Sequence, residues 1–293
     1  MLNPVVTPLS NPPSLVEFRA DARTIFDSGV AAANPYQAVK NCLNPGKHHL
    51  EILLNPEMPD LIRAGRWSQI LLLAFGKAAC AMADAAQAII PPHLRAGNGI
   101  AVTNYENVRP VDHFDVLGAG HPLPDEAGIT AVQAIRHKLL SVSRDDLVLV
   151  MVSGGGSALL PAPRSPVTLT EKISITEALM ASGATIQEIN CVRKHLSSLK
   201  GGGLAKLSAP ASMHTLILSD VVDDDLSVIA SGPTVADSST FSDAKTILKN
   251  RELWQNLPSH VQTLLTQGEQ GLIPETPKPN DCLFKRMSHT LVG

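Results

Sequence analysis

The chain has 293 residues, of which 44% are hydrophobic and 17% are charged, and its formal net charge is −3 at pH 7. Ordinary soluble domains carry about 25% charged residues, so this composition supplies a packed core and excludes a disordered chain. The nearly balanced charge and the few aromatic residues (six Phe, two Tyr and two Trp) argue against a surface that binds nucleic acid.

Short apolar runs predict buried strands, and most of them are followed by a turn and a helical pattern. The runs are continuous rather than alternating, which is typical of strands that are buried on both faces of a parallel sheet. We therefore predict an α/β fold with a largely parallel, Rossmann-like sheet and helices on both faces. The predicted strands are residues 68–74, 99–103, 114–117, 147–152 and 213–218.

The segments around these strands have helical spacing. Pro91-Pro92 ends one predicted helix, and Pro124-Asp125-Glu126 begins the next with a proline and acidic residues in the first turn. A proline-rich segment, residues 274–279, predicts a linker. The predicted helices are residues 15–33, 78–90, 124–140, 169–182, 186–207, 241–254 and 258–267.

The sequence lacks signals for export or for a membrane. The longest apolar runs, residues 70–75 and 147–152, fall far short of the ~20 residues that a membrane helix requires. No basic residue precedes Arg19, so no secretory signal is predicted. We expect a cytoplasmic protein that acts on a small molecule, without a nucleic-acid or membrane partner. A homodimer is one option for its assembly.

A glycine-rich loop follows the strand predicted at residues 147–152. It reads Ser153-Gly154-Gly155-Gly156-Ser157. Glycines let the backbone approach a ligand closely, and successive N–H groups can bind an anion at the carboxyl end of a strand. The loop is therefore a candidate phosphate site, although the chain contains neither GxxxxGK[ST] nor GxGxxG. The alternative is an ordinary tight turn.

An acidic loop follows the strand predicted at residues 213–218. Its sequence, from Ser219 to Asp225, includes four aspartates, and we select Asp220 and Asp224 as candidate metal ligands. Magnesium commonly takes one or two carboxylates together with phosphate oxygens. A solvated acidic loop is the alternative interpretation.

Basic residues form the third candidate group. Arg193, Ser197 and Lys200 share one face if residues 186–207 form a single helix. Candidate substrate ligands are His121, Asn190, Arg193 and Lys194, whereas Lys200 and Gly201 are candidate phosphate ligands. Lys77 follows Gly76 at the end of the first predicted strand, at the sheet edge that the loops share. Each of these side chains alone could equally be structural.

Taken in order, the motifs resemble those of the bacterial-type glycerate 2-kinases, formerly often labelled hydroxypyruvate reductases. The resemblance covers nearly the whole chain. It rests on Gly76-Lys77-Ala78-Ala79, Gly120-His121-Pro122, Ser153 to Leu159, Ser182-Gly183-Ala184, Asn190 to Ser197, Lys200-Gly201-Gly202, Ser219-Asp220-Val221 and Ile229 to Thr234.

This resemblance implies phosphorylation of D-glycerate by ATP with Mg²⁺, commonly at the 2-hydroxyl, in a cleft between two domains. The family's catalytic lysine falls on Lys77. The glycine loop from Ser153 to Ser157 is carried over as a phosphate-binding element, and Arg193, Lys194 and Lys200 as candidate ligands for carboxylate or phosphate.

Two departures from the family pattern are evident. Asp223 stands where the family usually has glycine, and aspartate tolerates a positive φ better than most residues. We expect residues 1–273 to form the N-terminal α/β domain and residues 274–293 a linker and the start of a C-terminal domain that is otherwise missing. The alternatives are a hydroxypyruvate reductase with a nicotinamide cofactor and a non-catalytic nucleotide-binding remnant.

Overall fold

A computed structural model describes residues 14–46 and 49–292. The described residues up to Asn34 belong to one compact unit, and those from Pro35 onward belong to a second. Helix α1 (Leu15–Ala32) belongs to the first unit, and its N-terminus is a capping box in which Ser14 and Glu17 exchange hydrogen bonds.

The second unit is built on a six-stranded sheet in which all neighbouring strands are parallel, so the predicted α/β fold class is confirmed. Two strands lie at its centre, β4 (Ile70–Phe75) and β7 (Leu147–Val152), and every residue of both is buried. The order across the sheet is β6-β5-β4-β7-β8-β9. The other strands are β5 (Gly99–Asn104), β6 (Phe114–Ala119), β8 (Ser212–Ile217) and β9 (Met287–Leu291).

Helices cover both faces of this sheet. Leu72 of β4 packs into one core with residues of α3 (Ala79–Ile89), whereas Leu71 and Leu73 pack into a second core with residues of α4 (Glu126–Leu139). Alternate residues of a strand point to opposite faces, which explains why a continuous apolar run is required.

A third core joins the helices that follow the glycine loop. The fully buried Phe241 and Leu265 pack there with Val192. The helices that surround it are α6 (Leu169–Ala181), α7 (Ile186–His195), α9 (Phe241–Asn250) and α10 (Ser259–Glu269). Two shorter helices, α5 (Gly156–Leu159) and α8 (Gly203–Ser208), contribute to the second core.

The strands differ from the sequence prediction in two respects. The segment that we expected to lead out of the α/β domain, residues 274–293, contains β9, whose residues pair in parallel with β8. A small antiparallel sheet was not predicted. It is formed by β1 (Leu43–Pro45), β2 (Leu50–Leu53) and β3 (Ile62–Gly65), near the end of α2 (Pro35–Cys42). Within the described ranges, no helix has the length and apolar character to cross a membrane.

Candidate active site

The glycine loop leaves β7 and turns directly into α5. Gly155 adopts a left-handed conformation with φ +88° and precedes the first turn of that helix. Among the described residues, no acceptor bonds the N–H groups of Gly154, Gly155, Gly156 and Ser157. Four consecutive free amides beside the carboxyl end of a strand can bind an anion such as phosphate.

The turn after β4 packs against this loop and is hydrogen-bonded to it. Gly76 has φ +122°, and a Cβ there would lie 2.2 Å from Ser153 Oγ. The Lys77 amide donates to the Gly154 carbonyl at 2.8 Å, and the Ala78 amide donates to Ser153 Oγ at 3.0 Å. These contacts set the Lys77 backbone next to the glycine loop, as their shared sheet edge predicted.

Three charged or titratable side chains border the loop. A Cβ on Gly155 would lie 3.0 Å from His121 Cδ2 and 3.3 Å from Lys77 Cγ, and a Cβ on Gly154 would lie 2.0 Å from Asp220 Oδ2. Burial and the nearby Lys77 lower the pKa of His121, while Glu106 and Asp220 oppose that change. The structure therefore brings together a cation, an imidazole and a carboxylate around the free amides.

The two candidate metal ligands do not share these surroundings. Asp220 lies against the glycine loop, whereas Asp224 lines a separate cavity of about 650 Å³ together with Glu57 and His289. Within the described ranges, no three His, Cys, Asp or Glu side chains are grouped so that they could hold a metal ion by themselves. Asp223 has φ +65°, so the residue that replaces the family's glycine does adopt a left-handed conformation.

A polar cluster surrounds Ser157, the second residue of the short helix α5. Lys200 Nζ donates to the Ser157 carbonyl at 2.8 Å and to its Oγ at 3.0 Å, and Arg193 donates to the same carbonyl at 3.4 Å. Ser157 Oγ lies 2.7 Å from Ser231 Oγ, which donates to Asn190 Oδ1. The predicted residues Asn190, Arg193 and Lys200 are thus neighbours in space.

The helical spacing used to group the basic residues is wrong. Helix α7 ends at His195, so Ser197 and Lys200 are not on its face. Ser197 Oγ instead donates to the Ala162 carbonyl and accepts the amides of Leu199 and Lys200. Arg193 and Lys200 meet because the chain turns back towards Ser157, which is a tertiary effect.

Two predicted ligands have other partners. Lys194 Nζ forms a buried ion pair with Asp237 at 3.2 Å, which leaves its charge compensated inside the third core region. The Gly201 amide donates to the Ser231 carbonyl at 3.0 Å, so this N–H is not available to a phosphate oxygen. Their residue types suggested ligands, but only the fold reveals these partners.

Sequence reasoning missed Lys172 and the role of Ser231. Lys172 is 5% exposed, and its Nζ donates to the Pro161 carbonyl. It lies in the first turn of α6, where a lysine usually projects into solvent, so the sequence contains no signal for its burial. In the sequence, Ser231 is visible only as part of the motif from Ile229 to Thr234. It has φ +62°, follows Ala230 at φ +51°, and is fully buried. Adjacent left-handed non-glycine residues are common at functional sites.

Comparison with known proteins shows which family the chain that carries this site resembles. The domain family described as "Domain of unknown function (DUF4147)" matches residues 21–266. A glycerate 2-kinase from Pyrococcus horikoshii is 38% identical over 263 residues, which cover 90% of this chain and 57% of that protein. A protein from Agrobacterium vitis, named provisionally as a hydroxypyruvate reductase, is 43% identical over 91% of this chain and 54% of its own length.

A solved crystal structure of a similar protein has the same fold. The crystal structure of a glycerate kinase from Thermotoga maritima superimposes with a TM-score of 0.78 at 35% identity, and covers 94% of this chain and 59% of that one. The chain spans little more than half the length of these relatives. The fold is therefore shared with glycerate kinases over the region that the chain matches.

Proposed function

The chain belongs to the DUF4147 family, and we propose on that premise that it phosphorylates D-glycerate with ATP to form 2-phosphoglycerate. One observation carries the proposal: four free amides of the glycine loop lie directly beside Lys77 and Asp220. Phosphoryl transfer depends on positioning and charge neutralisation, and amides, an ammonium group and a carboxylate that can hold a metal supply both.

Each group has a part in this proposal. The amides of Gly154 to Ser157 donate to phosphate oxygens of the nucleotide, and the Lys77 ammonium attracts the transferred group. His121, with its lowered pKa, offers a neutral imidazole nitrogen to the acceptor hydroxyl. The hydroxyl oxygen forms a bond to the γ-phosphorus, the bond from that phosphorus to the ADP oxygen breaks, and the hydroxyl proton is released.

Asp220 is the residue in the described chain that fits a magnesium ion at this site. Its carboxylate is exposed at the end of β8 and touches the glycine loop. Magnesium bound by one carboxylate and phosphate oxygens neutralises phosphate charge. Asp224 lines the other cavity, and we leave it out of the proposed metal site.

The reductase alternative has one observation in its favour, the name given to the Agrobacterium vitis relative. The chain lacks the GxGxxG fingerprint that nicotinamide-binding folds normally carry after a strand. Assays with two substrate pairs separate the two functions. We expect D-glycerate and MgATP to yield ADP, and we expect hydroxypyruvate with NADH or NADPH to give no change in nicotinamide absorbance. The opposite pattern would reject the kinase.

The substitution Lys77→Ala tests the proposed site, with Lys285→Ala as its control. We expect ADP formation to fall by at least about two orders of magnitude, because a positioned charge at a phosphoryl-transfer site is worth about that much or more. Lys285→Ala removes an exposed lysine that lies far along the chain from these loops and is expected to leave turnover unchanged. Equal turnover in the two variants would contradict the proposed role of Lys77.

A further inference from the structure

We propose that the pocket beside Ser157 binds the carboxylate of the acceptor, and that Lys172 and Arg193 supply its counter-charge. The identity of the acceptor as D-glycerate rests on the proposed function, whereas the binding of a small carboxylate rests on the pocket itself. The pocket has a volume of about 290 Å³ and lies between the turn that follows His121 and helices α6 and α7.

The first argument is a group of buried basic side chains that have no acidic partner. Lys172 and Lys200 are 5% and 3% exposed, and Arg193 lines the pocket with Lys172 and shares the Ser157 carbonyl with Lys200. In the described part of the chain, none of the three has a carboxylate oxygen within 4.0 Å. Their acceptors are the carbonyls of Pro161 and Ser157 and the Ser157 hydroxyl. Buried basic groups in proteins are normally paired with an acid, so this cluster is suited to an anionic ligand.

Lys194 provides an internal comparison. It is 6% exposed, similar to Lys172, and it is paired with Asp237 at 3.2 Å. Asp237 also accepts hydrogen bonds from Ser239 and Thr276. The fold therefore places a carboxylate beside a buried lysine where the lysine is structural. It places none beside Lys172 or Lys200, which is the arrangement expected if a ligand provides the negative charge.

The side-chain network around Ser157 also has a spare donor. Asn190 is 3% exposed, its Oδ1 accepts from Ser231, and its Nδ2 is buried without a hydrogen-bond partner. An unsatisfied buried donor costs about 1–3 kcal/mol, and such groups concentrate at functional sites. Donors thus outnumber acceptors in this cluster, which is a further reason to expect an anionic ligand nearby.

The volume and the lining of the pocket favour a small organic acid over a nucleotide. Apolar side chains supply much of its wall, namely Pro122, Leu123, Pro124, Ile173 and Met180. Lys172, Arg193 and Ser157 supply the polar part, and the exposed Glu177 lies on the same wall. The guanidinium of Arg193 can bind both oxygens of a carboxylate. Since Ser157 also ends the glycine loop, an acid bound here lies next to the proposed phosphate site.

The protein is expected to take up protons when an acid binds in this pocket. Burial, reinforced by Arg193, lowers the pKa of Lys172 far below its ordinary value, and burial, Arg193 and Lys172 do the same for Lys200. Glu177 is the acidic group that lines the pocket. A bound carboxylate favours the charged lysines and raises these pKa values, so the protein takes up protons when the acid binds.

Calorimetry on the whole chain tests the proposal. D-glycerate is titrated into the wild type and into Lys172→Met, a substitution of similar length without charge, with Lys285→Met as the control. We expect Lys172→Met to bind D-glycerate at least about tenfold more weakly than the wild type does. The control Lys285→Met is expected to bind it with wild-type affinity. Glycerol, which has the same carbon skeleton without the carboxylate, is expected not to bind. Titration at pH 8 in two buffers of different ionisation enthalpy measures the proton uptake, which we expect to be smaller in Lys172→Met.

The outcomes separate this inference from the proposed function. The pocket assignment is overturned if the wild type binds no D-glycerate at millimolar concentration, or if Lys172→Met binds it as tightly as the wild type does. If binding depends on Lys172 but no ADP forms with MgATP, the pocket assignment stands and the kinase proposal fails. If ADP forms and the KM for D-glycerate is unchanged in Lys172→Met, the kinase proposal stands and the pocket assignment fails. Unchanged MgATP binding in Lys172→Met shows that the variant is folded.

Discussion

At the scale of single residues, the site depends on positions where only a particular backbone or a missing side chain is tolerated. Gly154 has no room for a Cβ, because Asp220 occupies that space. Gly155 requires a left-handed backbone, which glycine adopts at little cost. Ala230 and Ser231 adopt the same region without that freedom, and Ser231 is held by hydrogen bonds to Ser157 and Asn190. The hydrogen bonds of Ser231 to this network help to hold it in that conformation.

Gly154→Ala is expected to weaken MgATP binding about tenfold or more, equivalent to about 1.4 kcal/mol. The new Cβ would lie 2.0 Å from Asp220 Oδ2, so the carboxylate must leave its position beside the loop. Binding of MgATP by calorimetry measures the effect. Gly29→Ala is the control, since among the described residues no atom outside the adjoining helix backbone lies within 4 Å of its added Cβ. Wild-type affinity in Gly154→Ala would show that Asp220 does not act at the phosphate site.

At the scale of helices and strands, the end of α7 decides how the basic residues are arranged. The periodic pattern predicts a helix from residue 186 to 207, but the helix stops at His195. Ser197 accepts the amides of Leu199 and Lys200 with its side chain, and this local hydrogen bonding competes with helical bonding. The chain then passes through Gly201 and Gly202, both with positive φ, before α8 begins.

The start of α6 is expected to set the stability of the helix that carries Lys172. Thr168 and Glu171 form a capping box there, and the Lys172 amide donates to the Thr168 carbonyl. Loss of an N-cap side chain costs about 1 kcal/mol, so Thr168→Ala should lower the free energy of unfolding by that amount. Urea denaturation measures it. Thr263→Ala, within the exposed face of α10, should change stability by less than about 0.5 kcal/mol. Equal effects of the two substitutions would argue against a capping contribution at Thr168.

At the scale of the whole molecule, the segment after residue 273 packs against the helices and the sheet of the second unit. Glu275 Oε2 contacts His195 Nε2 at 3.2 Å, and its Oε1 accepts from the Phe241 amide at 2.8 Å. Thr276 donates to the buried Asp237, and β9 extends the sheet beside β8. Residues that the sequence assigned to a linker therefore join α7, α9 and the sheet edge.

Acid is expected to weaken this junction through Glu275. Burial opposes ionisation, but the hydrogen bonds from His195 and the Phe241 amide lower the pKa of Glu275 from 4.5 to about 2. Its stabilising contribution is thus complete above about pH 4.5 and is lost as the pH falls towards 2. We expect Glu275→Gln to lose less stability than the wild type between pH 5 and pH 3, measured by urea denaturation.

Glu57→Gln serves as the control for this pH dependence, since the Glu57 carboxylate is exposed and accepts no hydrogen bond among the described residues. This variant should follow the wild-type curve. Parallel curves for wild type and Glu275→Gln would show that the junction does not depend on the ionised carboxylate.

The sequence by itself determined the central strands, the fold class and the loops at the carboxyl ends of β4, β7 and β8. These features are encoded locally, in continuous apolar runs and in the glycines and aspartates that follow them. Only the tertiary structure decided that Lys194 pairs with Asp237, that Lys172 and Arg193 line one pocket with Ser157, and that residues 287–291 extend the sheet. Those arrangements join residues far apart in the chain, and they depend on how helices pack, which no short-range pattern specifies.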